Sequence, residues 1–392
     1  MTVTIPMSID EYKVVHLSDL HFTGRPNEEL NGIWQFFSTE EISSANLKIL
    51  FDDIVTINPD HIFITGDITN TAHPIEFHKA KEWLLGLQNK LKPNLGQGTI
   101  ELLPELFTII PGNHDVSVKP SWFRRQKAEA SRLKLFIETF GSTLNLTNHS
   151  NIYDFQEAFP TYKKLFDVVQ VFSTNTTVDI PVHIVGFNAS GEIGEQQRKR
   201  LFDKLNDLRD EHSYRIVLCH HHPLIIPYRL GSDIAEKFLA MKDSRKFLRV
   251  CFDMGVHLVL HGHKHHPFIW QNEIIPELDP PHQMRVICAG SPTFARAGSS
   301  QVYNRYIMIR KRLGSRITLQ KVDMITRRYD PIQKRFKDVN SKPVNLYEEF
   351  VNPESRTEDP TINESDKWKD KEKPYRMNKT DLPGGGKKDK SD

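Results

Sequence analysis

Five short polar motifs follow one another along the chain, each at the end of an apolar run. They are Asp19-Leu20-His21, Gly66-Asp67, Gly112-Asn113-His114-Asp115, His220-His221-His222-Pro223 and Gly262-His263-Lys264-His265. A short apolar run that stops at glycine or at a charged pair reads as a buried strand. Five such strands, each delivering carboxylates or imidazoles at its end, constrain the chain to a layered α/β arrangement. In such folds reactive side chains gather where strands end.

The pattern between the motifs agrees. Strands are predicted at Tyr12–Leu17, His61–Thr65, Leu106–Ile110, Val168–Phe172, Val182–Phe187, Arg215–Cys219 and His257–Leu260, and again at Arg285–Ala289, Tyr303–Arg310 and Arg316–Val322. Helical periodicity covers Glu40–Ile57, Pro74–Lys90, Glu195–Leu208 and Ile234–Phe252, with Thr39 and Ser232-Asp233 as N-cap regions. Residues 117–162 are polar and aromatic and read as an insertion or cap, a candidate lid over the site. The domain is expected to span residues 1–350. The tail, 351–392, loses apolar periodicity, mixes charges of both signs and reads as disordered.

Composition narrows the classes. No apolar run nears the ~18 residues of a membrane span, so no membrane partner is expected. Residues 1–10 lack the pattern of a secretory leader. The three cysteines, Cys219, Cys251 and Cys288, are too few and too scattered for a disulfide framework. Together these features predict a cytoplasmic protein. A net charge of +2 does not favour general nucleic-acid binding. Arg124, Arg125, Lys127, Arg132 and Lys134 form a basic stretch in the insertion, read as a helix with a solvated face. An oligomer is left open.

The motifs themselves supply metal ligands. Asp19 and His21, two apart in extended backbone, would point to one side and converge on one ion. Asp67 has two oxygens and could bridge two ions. Asn113 offers a neutral oxygen. His114 could reach a leaving group, with Asp115 holding its imidazole in one tautomer. Among three consecutive histidines at most one or two can be ligands. His263 and His265 could serve two ions, flanked by His261 and His266. Oxygen and nitrogen donors without thiolate suit Mn²⁺, iron (Fe²⁺/Fe³⁺) or Zn²⁺.

The order D-x-H, G-D, G-N-H-D, H-x-P, G-H-x-H resembles the calcineurin-like metallophosphoesterase superfamily over about residues 12 to 310. The Cys-His-His-His-Pro run and Gly191-Glu192-Ile193-Gly194-Glu195-Gln196 look most like its class III cyclic-nucleotide phosphodiesterase branch. The resemblance implies an α/β (α+β) fold, a four-layered αββα sandwich of two mixed sheets with a dinuclear site at the sheet edge. Carried over, the first metal takes Asp19, His21, Asp67 and His265. The second takes Asp67, Asn113, His221 and His263, with His221 chosen because it stands two before Pro223. His114, with Asp115 behind it, matches the catalytic histidine. Asn113, His114, His73 and His222 are expected to face the substrate.

The implied activity is hydrolysis of a small-molecule phosphate ester, foremost a phosphodiester such as a cyclic nucleotide, by hydroxide bridging two divalent ions. The alternatives are a DNA or RNA nuclease, a phosphomonoesterase or phosphoprotein phosphatase, and a non-catalytic protein-binding scaffold. The segment after Asp67, Ile68 to His73, departs from the usual pattern.

Overall fold

The computed structural model describes residues 7–24, 44–96, 100–116, 133–146, 158–177, 191–210, 212–224, 240–271, 283–293 and 300–348. The chain divides into two units, Met1–Glu349 and Phe350–Asp392. The second unit lies outside the described residues, and so does the predicted disordered tail. The predicted strand at Val182–Phe187, the cap regions at Thr39 and Ser232-Asp233, and most of the basic stretch Arg124–Lys134 lie outside them as well.

In chain order the strands are β1 (Met7–Leu17), β2 (His61–Thr65), β3 (Phe107–Ile110), β4 (Thr161–Leu165), β5 (Val169–Ser173), β6 (Tyr214–Leu218) and β7 (Leu258–His261). Then follow β8 (Phe268–Gln271), β9 (Arg285–Cys288), β10 (Val302–Leu313), β11 (Arg316–Asp330), β12 (Arg335–Asp338) and β13 (Val344–Glu348). The longer helices are α1 (Ser44–Ile57), α2 (Pro74–Leu91), α3 (Lys134–Phe140), α4 (Glu195–Asp207) and α5 (Ser244–Asp253).

Two mixed sheets result. The first runs β12-β11-β10-β1-β2-β3, with β13 also on β11. In it β1, β2 and β3 are parallel and β10 is antiparallel to β1. The second runs β4-β5-β6-β7-β9-β8, parallel from β5 to β9.

Alternation along the second sheet separates its two faces. Val169, Val171, Ile216, Leu218, Leu258, Leu260 and Ile287 join the core shared with the first sheet. Phe172, Val217, Val259 and Val286 face the other way, onto Leu201 and Leu205 of α4 and Phe247 and Cys251 of α5. On the far side of the first sheet, Leu50 and Ile54 of α1 and Leu84 and Leu87 of α2 belong to the main core. The layers are therefore helix, sheet, sheet, helix.

Helix α2 shows how local sequence sets an element. Pro74 takes the first turn, where its missing N–H is not needed. Glu76 reaches back to the backbone N–H of His73. Phe77, Ala80, Leu84, Leu87 and Leu91 recur at helical spacing and are buried. Full burial of each large side chain is worth about 2 kcal/mol.

The structure departs from expectation in three places. Residues 133–146 and 158–162 were expected in a cap, yet Phe136, Phe140, Leu144 and Phe159 are buried in the main core. Of the predicted helix Ile234–Phe252, residues 234–239 lie outside the described residues, and α5 starts at Ser244, because Ala240 bridges to His222 and a turn at 242–243 follows. Strands β4, β8, β12 and β13 escaped prediction, β8 because its apolar run Phe268–Trp270 is only three residues long and β4 and β12 because they are polar sheet edges. Edge strands carry polar residues, as Lys163 and Lys164 or Arg335 and Lys337 do, and so lack an apolar run.

Candidate metal centre

All five motifs sit just past the carboxyl ends of β1, β2, β3, β6 and β7, on the same end of the two packed sheets. That is where open α/β sheets place their sites. The β1 and β2 loops are sewn together by backbone hydrogen bonds. The Asp19 N–H donates to Gly66 O at 3.0 Å, the His21 N–H to Asp67 O at 2.9 Å, and the Phe22 N–H to Ile68 O at 2.7 Å.

Asp19, His21, Asp67, His263 and His265 all have left-handed backbone, with φ of 56°, 48°, 52°, 76° and 54°. Such residues cost on the order of 1–3 kcal/mol each and persist where surrounding contacts fix them. The expectation that Asp19 and His21 converge through extended backbone is thus replaced. Convergence comes from two tight left-handed turns held by the neighbouring loop.

The side chains form adjoining donor groups. Asp19, His21 and His265 make one, with His265 Nε2 at 3.3 Å from Asp19 Oδ1 and 2.9 Å from His21 Nε2. Asp67, His220 and His263 make another, with His220 Nε2 at 3.2 Å from Asp67 Oδ2. Asn113 Oδ1 lies 3.1 Å from His220 Nε2 and 3.0 Å from His263 Nδ1. A third group, His21, Asp67 and His114, joins the two.

The three consecutive histidines separate by strand parity. His220 continues the inward face of Ile216 and Leu218. Its Nδ1–H donates to Thr65 O of the opposite sheet at 2.7 Å. His221 points the other way, with Nδ1 at 2.7 Å from Thr176 Oγ1 and its buried Nε2 without a hydrogen-bond partner. Its ring still lies 4.7 Å from that of His263. His222 is fully buried against His261 and Phe268. His261 is buried as well, its Nδ1 on Gly262 O at 2.9 Å. His220 thus reaches Asp67 and Asn113, His221 lies between Thr176 and the His263 ring, and His222 is buried.

His114 lies beside Asp67, whose Oδ1 accepts the His114 backbone N–H at 2.8 Å. Its ring meets that of His21 edge-on at 4.9 Å. The partner that orients it differs from the expected one. Nδ1–H donates to Asn70 O at 2.7 Å. Asp115 instead accepts from the backbone of Thr69 at 2.8 Å, Gly112 at 2.9 Å and Ile68 at 3.2 Å, and from Thr69 Oγ1. It pins the β2 and β3 loops together. His73, expected to face substrate, caps α2 by accepting the Ile75 N–H at 3.3 Å.

Two residues that sequence reasoning passed over buttress the first group. Ser291 Oγ–H donates to Asp19 O at 2.8 Å. Thr293 Oγ–H serves the carbonyls of Asp19 and Leu20 at 3.2 and 3.0 Å. They follow β9, whose end carries no carboxylate or imidazole to draw attention to it.

Gly262 allows the approach of the β7 loop to β1. A Cβ there would fall 1.7 Å from Ser18 Oγ and 2.6 Å from Asp19 Oδ2. Gly262→Ala is therefore expected to lose about 1–3 kcal/mol by overpacking and to displace His263. Wild-type stability in a denaturant melt, together with full metal content, would contradict this geometry.

The protonation states suit cation binding. Burial opposes the charge on Asp67, but His220 alongside holds its carboxyl well below the usual range. Asp19 is likewise lowered against burial, by His265. Burial, His265 and His114 push His21 down to about 3. Burial with His221 and His220 holds His263 well below its ordinary value. Anionic oxygens and neutral imidazoles are what divalent ions of the Mn²⁺, iron and Zn²⁺ type require. Burial resists charge on His220, but the Asp67 carboxylate outweighs it and carries the imidazole up to about 9. The buried Nε2 of His263, which has no hydrogen-bond partner, fits a donor set completed by an ion. Burial pushes the Cys219 thiol well up, so it offers no competing thiolate.

A search of curated protein sequences matched none. Among solved structures, a dimetal phosphatase from Danio rerio is 10% identical, covers 79% of this chain and 98% of its own, and has a TM-score of 0.46. GAP50, the anchor in the inner membrane complex of Plasmodium, is 12% identical over 86% of this chain and 90% of its own, with a TM-score of 0.39. A phosphopantetheinyl hydrolase from Mycobacterium tuberculosis is 10% identical over 71% and 90%, with a TM-score of 0.34. At these scores the resemblances carry no argument. The family model for calcineurin-like phosphoesterases matches residues 12–267, which hold all five motifs. The chain belongs to the calcineurin-like phosphoesterase family and is a metal-dependent phosphoesterase.

Proposed function

We propose that the protein is a phosphodiesterase in which Asp19, His21, Asp67 and His265 hold one divalent ion and Asp67, Asn113, His220 and His263 hold a second. The observation that carries this reading is the place of Asp67, which belongs both to the donor group with His220 and His263 and to that with His21 and His114. The ions, when bound, would lower the pKa of a shared water and neutralise charge on the phosphoryl oxygens. The chain itself supplies His114. Asn70 O fixes its Nδ1–H, leaving Nε2 as the nitrogen that can pass a proton to the leaving oxygen.

The diester is favoured over the monoester by the run Gly191–Gln196, which resembles the cyclic-nucleotide branch and packs behind the site against His221. A Cβ at Gly191 would meet His221 Nδ1 at 2.1 Å. The Glu192 N–H donates to Thr176 O at 3.0 Å, beside the Thr176 hydroxyl that meets His221.

No helix among the described residues is long and apolar enough to cross a membrane. Cys219, Cys251 and Cys288 are free and buried, which supports a reducing, cytoplasmic setting.

Hydrolysis of bis-(p-nitrophenyl) phosphate and of p-nitrophenyl phosphate, with Mn²⁺ or with chelator, tests the proposal. Metal-dependent preference for the diester is expected. Preference for the monoester would move the protein to the phosphatases.

Proton release gives a further check. His220 is raised to about 9 in the ion-free protein, so it carries a proton at pH 7.5, yet a ligand imidazole must be neutral. Binding of Mn²⁺ to chelator-treated protein is expected to release about one proton at pH 7.5, falling away as pH rises through 9. Calorimetry in two buffers of different ionisation enthalpy measures it, and no release at pH 7.5 would remove His220 from the ligands.

A further inference from the structure

We propose that the β11–β12 hairpin is a ledge that binds a single strand of nucleic acid beside the metal centre. The proposal rests on the phosphodiesterase reading and narrows its substrate class.

Register places the hairpin. Both β1 and β11 are antiparallel to β10, so they run the same way. His16 of β1 lies opposite Asn304, and Asn304 opposite Thr326. Just past this level β1 enters the loop of Asp19 and His21, while β11 continues to Arg328 and Asp330 and turns into β12. The ledge thus stands at the metal end of the sheet, two inter-strand spacings, or about 10 Å, from β1. Hydrogen bonds connect it to the centre. The Tyr329 N–H donates to Gln301 O at 2.9 Å, Gln301 Nε2–H to Thr293 O at 2.9 Å, and Thr293 Oγ–H to Asp19 O at 3.2 Å.

Alternation sets the side. Asn304 donates to Cys288 O of the second sheet at 3.3 Å and accepts from Thr326 Oγ1 at 3.0 Å, so both point between the sheets. Arg328, two residues on from Thr326, lies on that side. Its cross-strand partner is Lys337, and Arg335 faces Asp330. Arg327 goes to the other side, onto Asp53 of α1 and, at 2.7 Å, Asp338.

The inward column therefore carries Arg328, Lys337 and Arg335, all exposed, against Asp330 alone, which pairs with Lys337 at 2.7 Å. Arg328 directly opposite Lys337 is a like-charge pair, which weakens a ladder. A polyanion laid across it would turn that repulsion into attraction. The column lies along an exposed sheet edge, which fits an extended chain of phosphates rather than an enclosed single nucleotide. With a net charge of only +2, the protein keeps this cationic strip local.

The test is binding of a fluorescent single-stranded oligonucleotide to the full chain in chelator, followed by anisotropy over a salt series. R328Q/K337Q is expected to bind at least about tenfold more weakly, with a log–log salt slope shallower by roughly 1.4, as for two lost phosphate contacts on a single strand. Arg316→Gln, at the opposite end of β11, is expected to bind as wild type. Both variants should keep wild-type melting and wild-type turnover of bis-(p-nitrophenyl) phosphate. Unchanged affinity in the double variant, an equal loss in R316Q, or competition by a nucleoside diphosphate as effective as by the oligonucleotide would overturn the ledge. Absence of diester turnover in wild type would instead sink the phosphodiesterase reading, and the binding curves tell the two failures apart.

Discussion

Asp67→Ala is expected to purify with neither ion and to lose about 10³-fold or more in turnover of bis-(p-nitrophenyl) phosphate. Lewis-acid stabilisation by bound ions is worth several kcal/mol, and each ~1.4 kcal/mol is a factor of ten. Asp67 is the carboxylate common to two donor groups. It also accepts the backbone N–H of His114, so its loss frees the β3 loop. Elemental analysis beside the kinetics separates the two effects. Two retained ions would contradict the shared ligand. His220→Ala and His221→Ala divide the second group further. His220→Ala is expected to lose one ion and His221→Ala to keep both, since His220 Nε2 lies 3.2 Å from Asp67 while the His221 ring turns to Thr176. The reverse result would return the role to His221.

That pair shows how far the sequence could be read. The strand before the histidines was legible, because Arg215–Cys219 is a buried run. Which histidine faces the other sheet depends on which strand face is inner. Both faces of β6 are buried, Ile216 and Leu218 against one layer and Val217 and Cys219 against the other. Hydrophobicity carries no parity signal in such a strand. Asp19, His21, Asp67, Asn113, His263 and His265 could be named because polar groups at strand ends stand out against apolar runs. Their left-handed backbone could not, since the loop of Asp19 and His21 is held by hydrogen bonds to a loop distant in sequence. Asp115 and His73 take other partners than their neighbours in sequence suggest, for a related reason. Each sits beside a reactive residue in sequence, yet its side chain is taken by nearby backbone N–H groups. The segment at 133–146 looked like a cap because residues 117–162 as a whole are polar and aromatic. Packing of Phe136 and Phe140 makes it core.

His114→Ala is expected to keep both ions and to lose about 10²–10⁴ in kcat, the usual worth of a positioned proton donor. The loss should depend on the leaving group. A p-nitrophenolate departs with little protonation, whereas an alkoxide needs a proton almost in full, so a diester with an alkyl leaving group should suffer the larger loss. This dependence separates proton donation from mere architecture. The His114 imidazole is held through Nδ1 by a backbone carbonyl, that of Asn70, which no side-chain substitution removes. The β2 and β3 loops that carry both residues are joined through Asp115, fully buried and bonded to Ile68, Thr69 and Gly112. Asp115→Ala would strand those backbone donors, each costing about 1–3 kcal/mol when left unsatisfied. It is expected to lower stability and slow all substrates alike. Equal losses on aryl and alkyl leaving groups in His114→Ala would place His114 with Asp115 as a positioning residue, and the proton would have to come from elsewhere.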